Sequence, residues 1–247
     1  MFRNFVKRIK RRLLKYGFFS FFGDLIFLHK KGYKRIKKVQ KVKWNRNICR
    51  YYLAFRKTNK FFIKVVKPKE QIIKELEISQ KIIKEGFSFV LEPFDYFEKK
   101  GFGYLVLPYM NKYFPIWNYG VSFERNRFFQ ELYNILVHLE SLNIVHADIN
   151  FDNCLIYENR IILIDFGNAM NIGEERICYN QSVAYPGYFK DVECTNSSKI
   201  ITYDDAKAVS LMLDLSSGTS IFEKKIIGRI GRCTASITIY YDKQRKE

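Results

Sequence analysis

The chain has 247 residues, 47% hydrophobic and 17% aromatic, enough apolar mass for one globular unit of two lobes. Its 43 Lys and Arg against 25 Asp and Glu leave a formal charge of +18, which predicts attraction to something anionic: membrane headgroups, nucleic acid or a phosphorylated substrate. The 5 cysteines are widely spaced and form no CxxC pair, so a reducing compartment and no zinc site are expected; no apolar run has the length of a bilayer span or the pattern of a signal peptide.

The N-terminal segment, residues 1–32, is strongly basic. Phe2, Phe5, Val6, Ile9, Leu13 and Tyr16 recur between its cations at helical spacing, and the very apolar stretch from Gly17 to Gly23 follows. A basic amphipathic helix of this kind lies in a membrane interface, with Phe in the acyl boundary and Lys or Arg on anionic lipid. The alternative is that the stripe packs on the lobe that follows. Nucleic acid is not the expected partner.

From Tyr33 the pattern turns to strands. Arg50–Phe55 and Lys60–Val66 have β propensity and are joined by the polar Lys57-Thr58-Asn59. A helix is predicted from Lys69 to Lys84, after Pro68 and ended by Gly86, with Ile72, Ile73, Leu76 and Ile83 on its apolar face. Val90 to Met110 supplies two more strands around the Lys99-Lys100-Gly101 turn. A second helix runs from a Ser122 N-cap to about Leu142, with Phe128, Leu132, Ile135, Leu136 and Leu139 inward.

The densest chemistry lies in residues 144–167, IVHADINFDNCLIYENRIILIDFG. The apolar runs Leu155-Ile156 and Ile161–Ile164 read as short buried strands, and the polar tip between them reads as a tight hairpin. Asp148 and Asn153 fall on the loop entering that hairpin and Asp165 on the loop leaving it, so three oxygen ligands converge. Phosphoryl transfer needs such a set: one carboxylate to orient the attacking hydroxyl, and an Asn and a second Asp to hold magnesium against phosphates.

HxDxxxxN, then a hydrophobic strand and Asp165-Phe166-Gly167, resembles the catalytic and metal-binding motifs of the protein-kinase-like superfamily. The resemblance implies an α+β, two-lobed protein-kinase-like fold, with a small antiparallel-sheet N-lobe and hinge over 33–110 and a minimal helical C-lobe over 111–247. It implies ATP and Mg²⁺ as cofactors, Asp148 as the base and Asn153 and Asp165 as metal ligands. Lys64, on what looks like the third N-lobe strand, would anchor the α/β-phosphates. Glu75 is the candidate for its ion-pair partner, with Glu77 nearly as good. Leu107, Pro108, Tyr109 and Met110 look like the strand end and hinge against which adenine lies. Because proline has no N–H, Pro108 offers only its carbonyl. His146 is expected to support the loop rather than to react. Asp205, in a helix predicted over Tyr203–Leu213, either braces the catalytic loop or simply complements the helix dipole.

The sequence also departs from the family. No GxGxxG precedes Lys64, and Lys41–Asn47 is the stretch standing where that loop would be. Ala147 and Asn150 occupy positions where many protein kinases carry Arg and Lys. No APE follows, although Ala184–Tyr188 resembles the end of an activation segment. With the basic N-terminus, these departures make the bacterial lipopolysaccharide core (heptose/Kdo) kinases the closest resemblance. The expected acceptor is a hydroxyl on a membrane-associated sugar, a phosphorylated glycan, reached from the cytoplasmic face of the membrane. The alternatives are a Ser/Thr protein kinase, viral or bacterial, and a membrane-associated pseudokinase scaffold.

Overall fold

The computed structural model describes residues 18–39, 48–110, 114–115, 124–157, 160–178, 192–194, 198–215 and 220–240. The expected helix over 2–16, the Lys41–Asn47 turn, Ser122 and Ala184–Tyr188 lie outside these residues.

Strands β1 (Lys34–Lys38), β2 (Ile48–Arg56), β3 (Asn59–Lys67), β4 (Asp95–Lys99) and β5 (Phe102–Pro108) form an antiparallel sheet in the order β1-β2-β3-β5-β4. The β2–β3 hairpin turns at Lys57, whose φ of 55° is left-handed, and its register sets Tyr51 against Lys64. Because strand side chains alternate, β3 sends Phe61, Ile63 and Val65 to one face and Phe62, Lys64 and Val66 to the other. The first face joins Tyr52, Ala54, Tyr104 and Val106 in a buried cluster.

Helix α1 (Phe18–Lys30) covers that face with Leu28, and Tyr33 joins the same cluster. The sequence boundary at 33 therefore cuts through a packed unit: the lobe's core already includes Leu28. The pin is Asp24, which is 3% exposed. It accepts from Arg50 Nε and Nη2 at 2.6 and 3.1 Å, and from the hydroxyls of Tyr52 and Tyr104 at 2.6 Å each.

The opposite face receives helix α2 (Glu70–Lys84), through Ile72 against Val66 and Leu105. Glu70 at its start and Lys81 and Lys84 at its end complement the dipole, and Gly86 at φ 83° terminates it. Gly103 lets the helix approach closely, since a Cβ there would meet Ile72 Cβ at 2.9 Å.

The second lobe is built on α3 (Arg125–Ser141), whose Phe128, Phe129, Leu132, Ile135, Leu136 and Leu139 point into one core. The described helix starts at Arg125, with extended Glu124 as its cap and no side-chain cap bond. Asn143, at φ 58°, turns the chain after it. Strands β6 (Phe114–Pro115), β8 (Cys154–Tyr157) and β9 (Arg160–Leu163) form a small sheet, and β7 (Ile144–Val145) pairs with β10 (Met170–Asn171). Leu163 donates its N–H to Phe89 C=O at 2.7 Å, tying β9 to the segment that leaves α2.

Helices α4 (Asp205–Met212) and α5 (Ile221–Ile227) complete the helical part. Unlike the sequence reading, the structure adds a four-stranded sheet here: β11 (Arg176–Cys178), β12 (Val192–Cys194), β13 (Ser198–Asp204) and β14 (Thr234–Tyr240), ordered β11-β14-β13-β12. The helix predicted from Tyr203 begins instead at Asp205. Tyr203 and Asp204 end β13, and Asp204 caps the helix by accepting Lys207 N–H.

Candidate active site

Lys64 points from the α2 side of β3 and is 7% exposed. Its Nζ lies 2.7 Å from Glu75 Oε2 and 2.6 Å from Asp165 Oδ1. The structure thus selects Glu75 over Glu77: Glu75 is buried on α2 and Glu77 is exposed. Burial by itself would lower the Lys64 ammonium, but the Asp165 and Glu75 charges outweigh it and hold it well above the ordinary lysine range. Burial also pushes Asp165 up, yet the adjacent Lys64 charge more than offsets this and keeps the carboxyl below its ordinary value. For Glu75 burial wins, and its carboxyl is raised despite Lys64.

Asp165 adopts φ 65°, ψ 60°, which turns its side chain from β9 toward Lys64 before a 3₁₀ turn over Phe166–Asn168. A Cβ on Gly167 would stand 3.2 Å from Asp165 Oδ1 and 3.9 Å from Lys64 Nζ, so glycine keeps this carboxylate accessible. Phe166 is buried, with its ring 4.5 Å from that of His146.

The loop from His146 to Asn153 is held from beneath and from within. Asp205 accepts the backbone N–H of His146 at 2.7 Å and of Ala147 at 3.2 Å, and Tyr203 OH accepts that of Ile149 at 2.8 Å. Both readings of Asp205 hold: it braces the loop and stands in the first turn of α4. Ala147 sits at φ 60°, a strained value for a residue with a Cβ, stabilised here by the Asp205 bond to its N–H. His146 is fully buried, with Nε2 3.1 Å from Ile164 C=O. Burial pushes its imidazole down to about 4, so it is neutral at pH 7 and serves the scaffold, as expected.

Asn153 Nδ2 donates to Asp148 C=O at 2.9 Å and to Asp148 Oδ2 at 3.1 Å, leaving its own side-chain oxygen for another ligand. Burial, and then the Asp165 charge, push Asp148 up to about 6, although the Asn150, Asn153 and Asn168 side chains hydrogen-bond its carboxylate. Asn150 and Asn168 are contacts the sequence reading missed; an amide two residues from the base was the only available signal. Among the described residues no cluster of three His, Cys, Asp or Glu could hold a metal. The Asp165 carboxylate and the Asn153 amide oxygen nevertheless fit Mg²⁺, which takes one or two carboxylates and completes its shell with phosphate oxygens and water.

The expected hinge lies at the end of β5. Leu107 pairs in register with Phe62, two residues before Lys64 on the same face, and packs beside Leu105 and Ile72. Pro108 pairs with Phe61, and Tyr109 donates its N–H to Lys60 C=O at 3.1 Å. The Lys60 ammonium lies 3.6 Å from the centre of the Tyr109 ring. With the Tyr109 amide bonded to Lys60 and none on Pro108, neither residue offers an N–H at the end of β5.

A family model described as "protein kinase domain" matches residues 46–226. Among solved structures, the chain resembles the kinase PK-1 of Cydia pomonella granulovirus, at 19% identity and a TM-score of 0.50. The match covers 69% of this chain and 65% of that one, so the chain spans slightly under two thirds of the viral kinase's length.

Proposed function

We propose that this chain, which belongs to the protein kinase domain family, transfers the γ-phosphoryl group of ATP to a hydroxyl with Mg²⁺ present. The carrying observation is Lys64, which contacts Glu75 and Asp165 at once across two elements far apart in sequence. Neither contact arises from local chain geometry, and the pair is what phosphate anchoring and metal binding require. Magnesium supplies charge neutralisation at the phosphates, and Asp165 and the Asn153 side-chain oxygen are the groups that would hold it. Asp148 takes up the orientation of a base: its carboxylate receives the acceptor hydroxyl proton as that oxygen attacks phosphorus and the bond to the ADP oxygen breaks. Lys64 carries the phosphate charge, and Glu75 keeps the ammonium aimed.

For the acceptor we favour a protein hydroxyl. The family model that matches is that of the protein kinase domain. One observation keeps the sugar as a second reading: Ala147 and Asn150 stand where a protein kinase carries two cations. The membrane-surface location remains part of the proposal on the pattern of residues 1–22. Incubation with γ-labelled ATP, casein and a membrane glycolipid fraction separates the acceptors. Label is expected in protein, with Asp165→Ala abolishing it. Label confined to the glycolipid favours the sugar, and no Mg²⁺-dependent label anywhere leaves the scaffold.

A further inference from the structure

We propose that Asn150 is a positioning residue that fixes the rotation of the Asp148 carboxylate with a neutral amide; this rests on the kinase reading above. Asn150 is 5% exposed and uses its whole hydrogen-bonding inventory inside the loop. Its Nδ2 donates to Asp148 Oδ1 at 3.0 Å and to Asp148 C=O at 3.1 Å. Its Oδ1 accepts from the N–H of Asp152 at 2.9 Å and of Asn153 at 3.1 Å. Asn153 meanwhile donates to the other carboxylate oxygen, Oδ2, at 3.1 Å.

Each oxygen of Asp148 is therefore gripped by a different asparagine of its own loop, with Asn168 adding a third contact, and the carboxylate plane cannot turn about its last bond without breaking one grip. No cation takes part in either grip. With both amide protons spent on Asp148, Asn150 has none for a phosphate. Its two donors act on Asp148, while its Oδ1 separately holds the backbone of Asn153.

The two halves of the Asn150 amide separate a positioning role from a merely structural one. Asn150→Asp keeps the acceptor that holds the Asp152 and Asn153 N–H groups, removes the donor facing Asp148 and sets a second carboxylate against it, so Asn150→Ala carries the comparison free of added charge. Full-length Asn150→Asp is expected to lose about 10- to 100-fold in kcat, with the KM for ATP within twofold of wild type and the Mg²⁺-ATP thermal shift retained. A double-mutant cycle gives the second readout. Asn150→Ala should cost a similar factor in the wild-type background and a clearly smaller one when Asp148 is already Asn, the remainder coming from the lost hold on Asn153, measured by ADP formation. Full kcat in Asn150→Asp, or the same loss from Asn150→Ala in both backgrounds, overturns the assignment. A wild-type chain that forms no ADP with any acceptor instead sinks the kinase reading, and this inference with it.

Discussion

Replacing Asp24 with Ala tests whether α1 belongs to the catalytic unit. The carboxylate is the counter-ion of Arg50, itself 3% exposed, and the acceptor for the buried hydroxyls of Tyr52 and Tyr104. Removing it leaves a buried guanidinium uncompensated, which costs about 3–5 kcal/mol. Two buried phenols lose their acceptor, at about 1 kcal/mol or more each, so the total is roughly 5 kcal/mol. For a chain of this size each kcal/mol moves Tm by about 2–4 °C, giving a fall of about 10–20 °C by differential scanning fluorimetry. Because replacing both members of a buried ion pair by apolar groups is often near neutral, Asp24→Leu combined with Arg50→Met should recover a good part of the loss. Asp24→Ala melting within about 2 °C of wild type would show that the energetic reasoning is wrong. A cut at residue 46, where the family match begins, should behave at least as badly, since it also removes Leu28 and Tyr33 from the core.

Three further outcomes are expected. Asp165→Ala should lower phosphoryl transfer about a thousandfold or more and erase the Mg²⁺-dependent part of ATP thermal stabilisation; an unchanged Mg²⁺ increment contradicts the metal assignment. Lys64→Met should weaken ATP binding and also lower Tm, because Glu75 is left as a buried carboxylate without its cation; calorimetry that finds wild-type ATP affinity argues against the anchor. His146 titrates near 6.5 when unfolded and about 4 when folded, so the neutral form is the one the fold favours. Its contribution is complete above about pH 6.5 and lost as pH falls toward 4, a span worth about 3 kcal/mol. Urea melts of wild type and His146→Phe across that range should diverge in slope, and parallel lines count against the buried neutral imidazole.

The site was legible where chemistry and local pattern coincide. Asp148, Asn153 and Asp165 stand in one short stretch, and the hairpin that separates them is written in alternating apolar and polar runs. Lys64 could be picked from many lysines because apolar residues flank it on a strand. Glu75 and Glu77 could not be separated by sequence, since helix phase depends on which side α2 lays on the sheet, where Ile72 packs closely over Gly103. The Asp24 cluster was invisible because its partners lie 26, 28 and 80 residues away, and a pairing over such distances leaves no periodic trace. The C-lobe sheet did leave a trace: Ile200, Ile201, Thr202 and Tyr203 in one strand and Thr234, Ile237, Thr238 and Ile239 in the other are good strand formers. The helical pattern that begins at Asp205 directly after the first of these strands masks that signal.

Tyr203, Asp204 and Asp205 follow one another at the junction of β13 and α4, and each reaches a different place. The first takes Ile149 N–H, the second caps its helix and takes Gly231 N–H at 2.6 Å, and the third takes His146 and Ala147. Their division of labour depends on phase as much as on identity, because a strand-to-helix switch sets three consecutive side chains in three directions. One residue inserted between 203 and 205 keeps every functional group in the chain and misdirects at least one of them. Such an insertion should be harsher than any single replacement at the same junction, and a family alignment that tolerates gaps there would be reading the wrong three residues.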